Sequence, residues 1–280
     1  MRSARLNPAH RPAVVLVAHG SRDPRAAATT EALAGAVRRA HPQWLVRASY
    51  LDHAGPRPLD VLAAVPSRRA VLVPLLLTAA YHGRVDLPAV ARAAEALPLT
   101  VTLADVLGPA SPLLLDALCR RLAATAPGVL PPSGVSPFPA SDFSPFGRAL
   151  ATANGALPST LDGVVLASAG TRDPAARATV ADAAAALGRR LGLPAEVAYA
   201  SGAGPAPAEA VTRLRAAGAQ RVGMAAYFLA PGLLYDLAAD TARSAGAVLA
   251  AEPLGDTPEV VRLVGARVKA ALSGSFAAAA

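Results

Sequence analysis

Short apolar runs alternate along the chain with longer stretches in which apolar residues recur at helical spacing. In the first half, Val14–Val17, Leu45–Leu51, Val71–Thr78 and Val101–Val106 predict four strands. Helices are predicted from Pro24 to Ala40, then over Pro58–Val65, Leu87–Leu97 and Pro112–Ala124. Asp23 opens the first helix as its cap, with Pro24 at the first helical position. The second half repeats the plan with strands at Val164–Ala167, Glu196–Ala200, Arg221–Phe228 and Val248–Ala251. Apolar strands separated by helices predict an α/β fold whose parallel sheets are covered on both faces.

The repetition extends to particular residues. VLVAHGSRDP at residues 15–24 lines up with VLASAGTRDP at 165–174, an offset of 150. Tyr50-Leu-Asp52-His53-Ala-Gly-Pro56 lines up with Tyr199-Ala-Ser201-Gly202-Ala-Gly-Pro205, an offset of 149. Leu107-Gly108 and Pro112 match Leu254-Gly255 and Pro258. Three landmarks in the same order divide the chain into related halves, 12–126 and 161–272. Between them lies a Pro-, Ser- and Gly-rich linker, 127–160.

Composition narrows the function. Of 280 residues, 53% are hydrophobic and 16% charged, which excludes a disordered chain. A single cysteine, Cys119, excludes an internal disulfide and any cysteine-cluster metal site. Aromatics are 4%, too few for a base-stacking surface, and no basic block marks a nucleic-acid partner. The net charge of +8 favours anionic partners. No apolar stretch reaches the roughly 18–20 residues of a membrane span. Val14–Ala18 is too short for a signal-peptide core, so a cytoplasmic protein is expected.

In an open parallel sheet, ligands bind beyond the carboxyl ends of the strands. His19 follows the first strand, Asp52 and His53 end the second, and His82 follows the third. Two imidazoles and a carboxylate on one edge suit divalent iron, cobalt, nickel or zinc, and three protein ligands leave a position open. His10 and His41 read as ordinary loop histidines, and His53 as a bystander beside Asp52. In the second half Ala169, Ser201 and Gly232 stand opposite His19, Asp52 and His82, while Gly170, Arg172, Asp173 and Pro174 remain. One active half and one supporting half are therefore expected. His19-Gly20-Ser21 lacks the second glycine of a serine-hydrolase elbow, since Arg22-Asp23 follows. The Gly20–Ser21 loop, at a helix N-terminus, suits an anion. No phosphate-binding glycine loop is present.

The segments VLVAHGSRDP (15–24) and VPLLLTAAYHGRVDLP (73–88) resemble the paired signatures of the CbiX/SirB-type sirohydrochlorin chelatases, within the class II chelatase superfamily. The resemblance implies two tandem chelatase-like α/β domains facing across a cleft. It implies insertion of Co²⁺ or Fe²⁺ into sirohydrochlorin, in siroheme or cobalamin biosynthesis, with no cofactor beyond the substrate metal; Ni²⁺ also suits the ligands. His19 and His82 match the family's histidine pair, and Asp52 stands where a glutamate is usual, one methylene shorter. Ser21, Arg22, Arg84 and Arg172 become candidates for binding the carboxylate-rich tetrapyrrole. The runs Leu75–Leu77 and Ala226–Leu229 are candidate walls for the ring face. No second copy of the chain is required to enclose the cleft. A non-catalytic metal or tetrapyrrole carrier on the same fold is the alternative.

Overall fold

Every strand expected from the apolar pattern is a strand in the computed structural model of the chain, which describes residues 11–78, 86–125 and 161–277. The first half runs β1 (Ala13–Ala18), α1 (Pro24–Ala40), β2 (Leu45–Tyr50), α2 (Pro58–Ala64), β3 (Arg69–Pro74), α3 (Leu87–Ala93), β4 (Thr100–Leu103) and α4 (Pro112–Thr125). The second runs β5 (Gly163–Ser168), α5 (Pro174–Leu191), β6 (Ala195–Tyr199), α6 (Pro207–Ala216), β7 (Val222–Tyr227), α7 (Leu233–Ser244), β8 (Leu249–Ala250) and α8 (Pro258–Ala277). The linker expected at 127–160 lies outside the described residues.

Both sheets are parallel and have the same order, β2-β1-β3-β4 and β6-β5-β7-β8. The chain leaves β1 for one neighbour and then crosses to the other side. The carboxyl ends of β1 and β3 therefore flank a topological switch point, where an open sheet has a crevice. β5 and β7 repeat that arrangement.

The strands are apolar throughout because both faces are covered. Val15 and Val17 pack outward with Val61, Leu62 and Leu87, residues of α2 and α3. Val14 and Leu16 face inward, into a core that also holds Val164 and Leu166 from β5. The two sheets thus share one central core, filled by residues of α1, α4, α5 and α8. Its last helices are exchanged. α4, from the first half, packs on β7 and β8, and α8 packs on β3 and β4. Each fully buried leucine there, such as Leu118 or Leu254, contributes about 2 kcal/mol.

β3 is shorter than the apolar run Val71–Thr78 predicts. It ends at Pro74, which has no N–H to donate. Leu75 still donates to Val17 at 2.9 Å, but the Leu76 carbonyl then turns to accept from Leu107 and Gly108. β4 likewise stops at Leu103, short of Val106.

Candidate functional site at the carboxyl ends of the strands

β1 hands the chain to α1 through a short turn held by backbone and side-chain hydrogen bonds. The His19 carbonyl accepts from the Asp52 amide at 2.8 Å, tying this turn to the end of β2. Gly20 takes φ +96°, and a Cβ there would lie 1.8 Å from the Asp52 carbonyl oxygen. Only glycine meets both demands. Ser21 Oγ accepts from the Asp23 amide at 3.0 Å. The Asp23 carboxylate accepts from the Arg25 amide at 2.9 Å, capping α1 as expected.

The second half builds the same turn without the histidine. The Ala169 carbonyl accepts from Ser201, Gly170 takes φ +100°, Thr171 replaces Ser21 and Asp173 caps α5. The turn is thus a property of the repeat, and His19 is what the first half adds to it.

β2 ends in a denser polar group than the sequence suggested. The Asp52 carboxylate accepts from the His53 amide at 2.8 Å, lies 3.5 Å from His53 Nε2 and 3.8 Å from Arg57. That amide, with the charges of His53, Arg57 and His19, holds the Asp52 carboxyl below the usual carboxylate range. The ring of His53 stands edge-on to that of His19, with centroids 6.2 Å apart and planes at 87°.

His53, expected to be a bystander, therefore belongs to this group. It is also the one non-glycine residue with positive φ among the described residues, at +58°. Its counterpart Gly202 has φ +81°. A side chain in that conformation costs about 1 kcal/mol, so His53 occupies a place where the repeat uses glycine. The signal was present in the aligned pair His53/Gly202.

A cavity of about 210 Å³ opens beside this group, between the two halves. His19, Gly20, Ser21, Tyr50 and Leu75 line one side, and Leu229, Ala230, Pro231 and Gly255 the other. Of the expected ring-face walls, Leu75 and Leu229 line it, whereas Ala226 and Phe228 pack in the core beneath α6 and α7. The Tyr227 hydroxyl donates to the Leu77 carbonyl at 3.2 Å, pinning the halves together beside the cavity. Burial pushes its ionisation upward, so it remains a donor.

His19 and Ser21 thus line the cavity, with Asp52 and His53 next to His19. Arg22 and Arg172 are exposed on equivalent turns, and neither lines the cavity. His82 and Arg84 lie outside the described residues. Among the described residues, no three His, Cys, Asp or Glu side chains are arranged to hold a metal ion, and no helix is long and apolar enough to cross a membrane.

Comparison with known proteins bears on this arrangement. SirB from Bacillus subtilis with Fe³⁺ is 20% identical, with a TM-score of 0.66 over 95% of this chain and 98% of that one. The cobalt complex of the sirohydrochlorin chelatase SirB from Bacillus subtilis subspecies spizizenii is 19% identical, with a TM-score of 0.63 over 92% and 94%. CbiX, described as the terminal enzyme for siroheme biosynthesis in denitrifying bacteria, is 20% identical, with a TM-score of 0.60 over 92% and 98%. These likenesses show the two-sheet α/β fold. No curated protein sequence matches the chain. The CbiX family model matches it twice, over residues 13–125 and 163–271, and the chain belongs to the CbiX family.

Proposed function

We propose that the chain is a sirohydrochlorin chelatase, inserting Co²⁺ or Fe²⁺ into the tetrapyrrole for siroheme or cobalamin synthesis. The observation that carries this reading is His19, on the cavity wall at the switch point of the first sheet and replaced by Ala169 in the second. Membership of the CbiX family supports it, as do the Fe³⁺ and cobalt complexes of the similar SirB structures.

In this reading the metal ion is a substrate. His19 and His82 present neutral imidazoles to it, and Asp52 adds a carboxylate from the end of β2. A loosely held ion is what the reaction requires, because it must leave for the macrocycle. Two pyrrole protons leave as the metal enters, and in this reading the His53–Asp52 pair, which lies beside His19, receives them. Ser21 stands on the cavity wall for the substrate. Arg22, Arg84 and Arg172 serve the outer carboxylates of the tetrapyrrole. No cofactor beyond the metal takes part, and one chain, working in the cytoplasm, supplies the whole cleft.

The test is anaerobic mixing of the purified chain with sirohydrochlorin and either metal, following loss of the metal-free absorption. Multiple turnovers by the wild type, abolished in His19→Ala and His82→Ala, are expected. Tight tetrapyrrole binding without acceleration would instead identify a carrier. Failure to bind would remove the proposed substrate.

A further inference from the structure

Arg25 links the two halves beside the cavity, although neither it nor its partner Asp236 is among the lining residues. On its own helix its guanidinium meets Asp23, with Nη2 2.5 Å from Oδ2 and Nε within 3.1 Å of both oxygens. From the other half it meets Asp236 of α7, with Nη2 2.5 Å from Oδ2 and Nη1 3.3 Å from Oδ1. Ala26 and Ala27, next to Arg25, line the cavity, as does Pro231, just before α7. The Arg25 and Asp236 side chains are 52% and 39% exposed, so solutes reach the pair.

The repeat makes this arrangement one-sided. Asp236 has the counterpart Asp86, but Arg25 has the counterpart Ala175. The pair between the halves therefore occurs on the side that carries His19 and cannot form from the equivalent positions.

An exposed ion pair is weak, so exchanging one carboxylate partner for another is nearly isoenergetic. Asp23 is different. It is anchored to the Arg25 amide and holds the guanidinium beside the cavity when the second partner changes. Arginine's planar fork suits such bidentate exchange.

We infer that Arg25 binds a carboxylate of the tetrapyrrole, and that Asp236 occupies the guanidinium until that carboxylate displaces it. This rests on the chelatase reading and adds a specificity residue to it. Asp236 competes with the substrate, so removing it strengthens binding.

The test is the affinity of the full chain for metal-free sirohydrochlorin, measured by fluorescence titration without metal. Arg25→Gln is expected to raise Kd by about tenfold. Asp236→Asn is expected to lower Kd by about two- to fivefold. The same Asp236→Asn change made in the Arg25→Gln background is expected to have no effect. Thermal melts of each variant report folding separately. Weaker binding in Asp236→Asn as well as Arg25→Gln would overturn the proposal, leaving a strut between the walls. A gain from Asp236→Asn that persists without Arg25 would also overturn it, reducing the effect to bulk charge. A wild type that does not bind at all would defeat the chelatase reading first, and this assignment with it.

Discussion

Gly20 lies so close to Asp52 that any Cβ on it would stand 1.8 Å from the Asp52 carbonyl oxygen. That approach lets the Asp52 amide reach His19 and sets the spacing of the two strand ends. Gly20→Ala should cost about 2–4 kcal/mol, since it combines overlap with a positive φ. Gly170→Ala, at φ +100° and 1.9 Å from the Ser201 carbonyl oxygen, should cost a similar amount. Urea denaturation measures both. Cobalt titration of the folded fraction separates them, with affinity falling in Gly20→Ala alone.

His53 is held in a conformation that glycine adopts freely. His53→Gly should therefore leave stability within about 1 kcal/mol of wild type, the lost Asp52 contacts and added chain entropy offsetting the relieved backbone. Its rate of metal insertion should nonetheless fall, by about a hundredfold if His53 and Asp52 act as the general base. Paired melting and turnover measurements decide it. An unchanged rate would return His53 to the status of a neighbour.

Glu259 is 1% exposed and ties α8 to α4 through Arg120, with Nη2–Oε1 at 2.8 Å and Nε within 3.1 Å of both oxygens. Arg262 adds a longer contact at 3.4 Å. Arg120→Ala strips most of that partnership from a buried carboxylate and should cost about 2–4 kcal/mol. Replacing both residues, Arg120→Met with Glu259→Leu, should recover most of the loss. Denaturation midpoints of the three proteins form the check.

His41 closes α1, stacks on Trp44 at 4.0 Å and abuts Gly265 of α8. Burial, then the charge of Lys269, lowers its affinity for a proton below the ordinary value of 6.5. The folded state thus binds that proton less readily than the unfolded chain. Its contribution is complete above about pH 6.5 and is lost as pH falls from there toward the lower folded-state value. His41→Gln should flatten the fall in melting temperature between about pH 7 and pH 5. An identical slope in wild type and variant would assign the acid loss to other groups.

Much of the architecture was legible because it is local. The Asp23 and Asp173 caps follow from contacts within a few residues, at matching places in the two halves. The strands were legible in kind but not always in length. Val71–Thr78 looks uniform as a string, yet the ladder ends at Pro74, where a donor is missing, and Leu76 turns to the loop after β4. His19 was legible by position at a strand end. His53 was passed over because a residue's φ is not written in its type, although Gly202 marked the place.

The sequence by itself determined two related α/β halves, their parallel strands, and the strand-end turn that carries His19. Periodicity and turn chemistry act over short distances and leave a direct imprint on residue order. Only the tertiary structure decided that α4 covers the second sheet and α8 the first. An apolar helix face specifies that it must be covered, not which of two similar sheets covers it. The same holds for Arg25 and Asp236, which meet across 211 positions. Their pairing depends on how two complete sheets pack around one core, and no local pattern encodes that.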